Sequence, residues 1–545
     1  MKRLALKYSI LSALGLILAF SAGAQIQSGE VDIIKQFNAR LADAERFVLA
    51  PKLPPLDTSS KAQAYNLVNR PIKVQYLPPR ITPKTLQNEP KEKIYNGYVR
   101  AGAGFPQALL LEGSYDFIGK ENADFGIDFR HQSANNTKKV ENQRFADNDF
   151  GVFGSYHAKD QGFTIGGNLN YSRDFVHFYG YNDLDDDFPS ELSFAQEDVK
   201  QRFSTISGKA KLYNSVRTAG DINYSAAIDF YALEDLYAAR ENGFNLEFSG
   251  AKWFDDKHPL SVTLRTDFTN YRDSAKQTLN NIFLNPSYAF HGDRFRVKIG
   301  LNVASHKDQF YLYPNLELSA NILDNLLTAF AGAEGGLQKN NFRSLTDYNP
   351  FLSSRIRVRN SFYNNYFGGI KGEFKGVTYR AQAVYKTIDN LALFLTDGDS
   401  IPRFNVLYDT ASIVTVSAEL NTELIEGLVL SGSFSQHFFS LENQEKPWHL
   451  PSLTVNAGLA YSGLIDNLTV KGELFMQNGV PVKGADGKPK NLNTLLDLSL
   501  GAEYQLSDGI GAFVQVNNVL NNRWQRWQHY PTFGLNAMAG ISARF

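Results

Sequence analysis

The chain contains no cysteine. That removes disulfides, thiolate metal ligands and cysteine nucleophiles from consideration. It also excludes lipid attachment to a cysteine behind a leader peptide. Long apolar runs are missing as well. Beyond residue 20 no stretch of 18 apolar residues occurs, so no membrane-crossing helix is expected. Methionine occurs only 3 times, and the net charge of −1 provides no electrostatic pull toward nucleic acid. Beyond residue 95 no convincing segment shows the 3.6-residue apolar period that fills a soluble enzyme of this length.

What is abundant is aromatic: 27 Tyr and 40 Phe, 13% aromatic residues in all, at a mean hydropathy of −0.30. The apolar residues are spread at period two. In 535–545, Leu535, Ala537, Ala539, Ile541, Ala543 and Phe545 alternate with Asn536, Gly540, Ser542 and Arg544, and only Met538 breaks the pattern. Period two means a strand with one face in oil and the other in water. In 453–461, Leu453, Val455, Ala457, Leu459 and Tyr461 share a face, and 468–476 sets Leu468, Val470, Leu474 and Met476 against Thr469, Lys471 and Glu473. Residues 414–420 and 496–504 repeat the pattern and place Glu419, Asp497 and Glu503 on the polar face. Charges at alternate positions require a watered face. The arrangement is that of a transmembrane antiparallel β-barrel with a polar lumen, whose alternation keeps the average hydropathy low.

The amino-terminus carries the matching address. Lys2, Arg3 and Lys7 precede an apolar run over 8–20, and Ala22-Gly23-Ala24 offers a small-residue cleavage site before Gln25. That predicts a secretory signal peptide over 1–24. Residues 25–94 hold eight of the chain's twenty prolines, which excludes a sheet interior. This segment reads as an extended periplasmic or lumen-occluding extension, with apolar spacing over 31–47 indicating a short helix. The barrel is expected over 95–545.

Connections alternate in length along that region. Short turns fall at 159–162, 292–294, 324–325, 375–376, 426–427, 466–467 and 507–509. Longer polar loops fall at 133–147, 175–198, 337–360, 390–402, 441–450, 479–490 and 521–533. Short periplasmic turns and long external loops are the two ends of an outer-membrane barrel. A chain entering and leaving on the periplasmic side has an even strand count. The walk yields about 22, with 16–20 as the alternative if long strands are split differently.

Three passages carry a resemblance. Residues 517–534, N-N-V-L-N-N-R-W-Q-R-W-Q-H-Y-P-T-F-G, followed by the closing strand, resemble the carboxy-terminal hairpin of TonB-dependent receptor barrels of the Bacteroidetes type. Residues 445–451, E-K-P-W-H-L-P, resemble a loop two hairpins earlier in the same proteins. E-V-D-I-I-K-Q-F-N-A-R at 30–40 and P-I-K-V-Q-Y-L-P-P-R-I-T-P at 71–83 resemble the leader of a receptor-like subgroup. The resemblance implies an outer-membrane barrel and a TonB-type partner. It also implies a folded plug domain and a TonB-contacting box, and neither is recognisable in residues 25–94. A barrel of this size needs its lumen filled. The expected filling is residues 25–94 together with inward-folded loops.

Candidate sites divide as follows. Asp183, Asp185, Asp186 and Asp187, with Glu191 nearby, form an oxygen-rich cluster of the kind calcium takes, although the spacing is not that of an EF-hand and a solvated loop is the plainer reading. Trp448, Trp524, Trp527 and Tyr530 read either as the aromatic girdle of a barrel or as a stacking surface for a planar ligand. Arg355, Arg357 and Arg359 put three guanidiniums on one face, suited to anions or to plain solvation. Lys471, Glu473, Asp497 and Glu503 are the lumen-facing candidates for selectivity, and Phe545 serves as the carboxy-terminal signal to the barrel-assembly machinery. Nine histidines include no i, i+4 helical pair, and His437 near Ser433, Ser435 and Ser440 on one strand is not a triad. No catalytic residue, cofactor or nucleic-acid partner is expected. The leading expectation is permeation or transport of a polar solute. The rival is a non-transporting barrel that docks a lipoprotein, a TonB-type partner or an assembly complex.

Overall fold

The computed structural model describes residues 95–545 except 121, 183–191, 217, 219 and 398–399. The 1–94 region, with its helix expected over 31–47, and the Asp183, Asp185, Asp186, Asp187 cluster lie outside the described residues.

Twenty-two antiparallel strands form one sheet, and the sheet closes on itself. The first strand, Gly97–Phe105, pairs on one side with Ala108–Lys120 and on the other with the last, Asn536–Arg544. Closure leaves no unpaired edge, the only arrangement in which a sheet can stand in hydrocarbon. Phe545 completes the seam: its carbonyl accepts from the N–H groups of Asn96 (2.9 Å) and Gly97 (2.8 Å), and its own N–H donates to Gly97 O (3.0 Å). The seam is also tight. A Cβ at Gly540 would lie 2.1 Å from Ala101 O and 2.6 Å from the Phe513 ring, so only glycine lets that ring lie flat against the wall.

The alternation read from the sequence sets the two faces. Ile541, Ile299, Leu318, Phe434 and Leu500 are exposed on the outside, where water would be costly and lipid is not. Arg544, Ser542 and Asn536 take the lumen face of the last strand, and Met538, the break in the pattern, also points there. The end at which the first strand begins and the last one finishes has connections of two to seven residues. The opposite, outer end carries seven longer loops, at 136–143, 178–199, 341–358, 397–403, 442–452, 479–494 and 518–535. Its other four connections, at 106–107, 236–239, 273–275 and 307–308, are as tight as turns.

Strands run past the membrane on that outer side. A span needs about 9–11 residues, whereas Val377–Thr396 has 20 and Phe404–Ile425 has 22. The wall is not continuous up there. Strand Gln309–Leu323 pairs with Phe295–His306 along its whole upper part, but with Leu327–Asn340 only from Asn315↔Glu334 downward. Pro314 lacks the N–H that the ladder would need next. Above that point the second strand passes inside the first. Asn302 Nδ2 donates to Gly335 O (2.8 Å), and a Cβ at Gly335 would meet the Tyr313 ring at 2.8 Å. Asn360 Nδ2 donates to Asn281 Oδ1 (2.7 Å), and Phe362 lies 4.8 Å from Tyr311. The barrel's upper rim is therefore a spiral that overlaps itself, held by side chains rather than by ladder bonds.

Among the described residues one helix breaks the strand pattern, Phe342–Tyr348, where period-two reading gave only a loop. Seven residues are too few for a helical period to be visible in sequence. The helix forms because Asn341 and Ser344 make a reciprocal capping box, and because a carboxylate from another strand meets its first amides. Glu241 accepts from Phe342 N (2.7 Å), Arg343 N (3.1 Å) and Asn341 Nδ2 (2.6 Å).

Candidate functional site

The outer loops do not stand in solvent. They fold over the mouth and share one buried apolar core. Its members include Val140, Phe178, Tyr181, Leu345, Leu352 and Ile356, with Phe394, Phe404, Trp527 and Tyr530. Loops 178–199, 341–358 and 518–535 leave the ring after its fifth, thirteenth and twenty-first strands, close to equal thirds of the circumference. A ring of 22 strands spaced about 4.8 Å and tilted about 40° is on the order of 40 Å across. Yet the three loops touch. Tyr179 lies 5.7 Å from Phe351 and 5.1 Å from Tyr530, and Phe351 stacks on Tyr530 at 3.8 Å. Loops rooted so far apart meet only by crossing the opening. The contact is a lid.

Loop 518–535 binds the lid together. It forms a small hairpin, Gln525–Trp527 against Tyr530–Pro531, turned by His529 at φ +70°. Its Pro531 carbonyl accepts from Gln143 Nε2 (2.8 Å) and from the Tyr179 hydroxyl (3.0 Å). The Tyr530 hydroxyl donates to Pro402 O, and Gln528 Nε2 donates to Lys483 O (3.0 Å). Trp527 sits among His449 (5.5 Å), Tyr348 (5.4 Å), Phe394 (5.4 Å) and Phe404 (5.3 Å). All six other outer loops, or the strand ends that carry them, are thus engaged by one hairpin. Such buried ring pairs contribute about 0.5–1.5 kcal/mol each beyond their area. The fit is incomplete, because Gln528 Oε1 is buried with no hydrogen-bond partner among the described residues.

His449 is enclosed with Trp527 in this knot. It is 1% exposed. Its Nδ1 lies 2.7 Å from Phe394 O, and the Gln528 N–H approaches its Nε2 at 3.4 Å. Only the neutral tautomer with the proton on Nδ1 satisfies both neighbours. Burial, reinforced by Arg526 and His529, pushes its pKa down to about 3.

Of the two readings open for the four aromatic candidates, girdle or stacking surface, their positions do not fit a girdle. Trp448 (5% exposed), Trp524 (8%), Trp527 (3%) and Tyr530 (1%) are buried at the outer mouth, not set on the lipid face. A girdle and a lid ask for the same residue types, so composition does not separate them. Trp253 alternates with the exposed Phe254 and takes the lumen face. A usable signal lay elsewhere: Phe178, Tyr179, Tyr181, Phe342, Leu345, Phe351 and Leu352 are too apolar a set for solvated loops.

Lys471, Glu473, Asp497 and Glu503 alternate with Leu474, Leu500 and Tyr504 and stand on the lumen face. Lys471 Nζ lies 3.2 Å from Glu503, which also meets Arg100 at 3.6 Å, and Arg100 reaches Glu112 at 3.6 Å. These pairs are half in water and contribute little to stability. They make the wall polar. Arg355, Arg357 and Arg359 point outward while Ile356 and Val358 between them are buried in the lid. His437 Nδ1 lies 2.9 Å from Thr415 Oγ1. Residues 484–488 form the turn between Pro481–Lys483 and Pro489–Asn491.

No protein family matches the chain by sequence, and no curated protein does. Solved structures do. The iron transporter FrpB from Neisseria meningitidis superposes with a TM-score of 0.64 at 10% identity, over 84% of this chain and 82% of its own. The ferripyoverdine receptor of the outer membrane of Pseudomonas aeruginosa gives 0.61 at 13%, over 84% and 72%. This is the barrel fold of outer-membrane receptors. The siderophore receptor PirA from Pseudomonas aeruginosa gives 0.58 at 13%, over 82% and 79%. The share of this chain that superposes is about that of residues 95–545, so the likeness is to the barrel. The chain shares the barrel fold of these two receptors and the transporter.

Proposed function

We propose that this receptor-type barrel passes a polar solute across the outer membrane and that the loop lid is its closed outer gate. The observation that carries the reading is the contrast between wall and lid. Below, strands close by a continuous ladder around a charged, watered face. Above, the mouth is closed by side-chain contacts converging on one hairpin, which can part without disturbing that ladder. Lumen charges at Arg100, Lys471, Glu473, Asp497 and Glu503 would then grade what passes. The neighbours' names point to iron-loaded siderophores as the first solutes to test. Residues 25–94 are assigned to occlusion from the periplasmic side.

The test is conductance in planar bilayers. Deleting 522–533 removes the hairpin and leaves every barrel strand. The variant is expected to carry a steady current where the intact chain stays silent, and deleting 25–94 as well is expected to enlarge it. A silent double deletion that still migrates as a folded, heat-modifiable barrel would refute permeation and favour the docking subunit.

A further inference from the structure

Where the rim overlaps itself, a crease of about 440 Å³ opens between the two layers. One side is aromatic, with Tyr311 and Tyr313 from the outer layer and Phe362 beside them; the Tyr311 and Phe362 rings are 4.8 Å apart and inclined at 47°. The other side is polar and comes from three neighbouring strands: Asn364, Thr387, Asp389 and Ser412. Register aligns Asn364 with Thr387 and Thr387 with Ser412. The side chains of Asn364 and Thr387 have no hydrogen-bond partner among the described residues, and the carboxylate of the exposed Asp389 accepts only from Thr410 Oγ1, at 3.3 Å. At the lip, Arg359 donates to Asn390 Oδ1 (3.2 Å). Two residues lower on the same face, Tyr366 and Tyr385 stack outward at 6.4 Å. Exposed tyrosines on the lipid face mark the headgroup level. Two residues of strand span about 7 Å, so the crease lies in the layer just above the membrane surface.

An aromatic wall facing free amide, hydroxyl and carboxylate groups suits a ligand with an apolar face and a polar edge. The volume is that of a small-molecule site. We propose that the crease binds a saccharide unit, with a pyranose ring against Tyr311 and Phe362 and its hydroxyls bonded to Asn364, Thr387 and Asp389. Such a ring arrives either as a free sugar or as the glycan headgroup of an outer-leaflet lipid.

The full chain in detergent is presented with glucose and N-acetylglucosamine, read by saturation-transfer NMR. In parallel it is presented with lipopolysaccharide of truncated core, read by native mass spectrometry. The variants are Tyr311→Ala, Asn364→Leu and Thr387→Val, the last being isosteric, and each is checked for a heat-modifiable barrel. Saturable binding of either form, weakened about tenfold by each variant, is the expected result, and the form bound identifies the source. No binding of any probe, or binding that all three variants leave unchanged, overturns the proposal.

Discussion

Acid should loosen the lid, and His449 sets how much. In the closed lid its Nε2 faces the Gln528 N–H at 3.4 Å and its Nδ1 bonds Phe394 O at 2.7 Å. A second ring proton, on Nε2, would point at the Gln528 N–H, itself a donor. The group's pKa is held at about 3 in the closed lid, against about 6.5 when water reaches it. A depressed histidine pKa means that its contribution to closure is complete above pH 6.5 and is lost as pH falls from 6.5 toward 3. Each unit in that window costs about 1.4 kcal/mol. At pH 5 the loss is about 2 kcal/mol, roughly a 30-fold rise in the ratio of open to closed lid. Hydrogen exchange of loops 442–452 and 518–535, corrected for intrinsic rates, measures that ratio at pH 7 and pH 5. The rise should disappear in His449→Gln, whose amide does not titrate. An unchanged ratio in the wild type, or an equal rise in the variant, would refute the reasoning.

Two further outcomes follow from the wall itself. Gly540→Val drives a side chain against Ala101 O, which has no room to retreat; closure should weaken by about 1–3 kcal/mol or more, seen as loss of the fast-migrating folded band at lower temperature, and an unaltered band would contradict the packing account. In the barrel lacking 522–533, Lys471→Glu adds a carboxylate near Glu473 and Glu503; reversal potentials should shift toward cation preference by a few-fold in permeability ratio, and no shift would remove this face from the solute path.

Much of the wall was legible because its physics is local. Alternation at 453–461 or 535–545 is decided by each strand's own two faces, and turn residues such as those at 375–376 act over a few positions. The strand count of 22 and the seven outer loops followed from that local text. The lid was not legible in the same way. Tyr179, Phe351 and Tyr530 are brought together only by ring closure, which no window of sequence contains. Their chemistry alone fits a lipid interface as well as a core. The helix at Phe342–Tyr348 was hidden for a related reason, since the Glu241 carboxylate that meets its first amides is about a hundred residues away in the chain.

The overlap above Asn315 has a mechanical consequence. A fully laddered cylinder has a fixed girth, because widening it anywhere means breaking a row of backbone bonds. Here the upper rim behaves like a coiled spring clip. Asn302 on Gly335, Asn360 on Asn281, the Lys339–Asp267 ion pair and the Phe283–Tyr313–Leu337 cluster set how far one end lies inside the other. Were those contacts to slip, the perimeter of the opening would lengthen while every pair from Asn315↔Glu334 downward stayed joined. A rim built this way could change its girth while the ladder within the membrane stayed as it is.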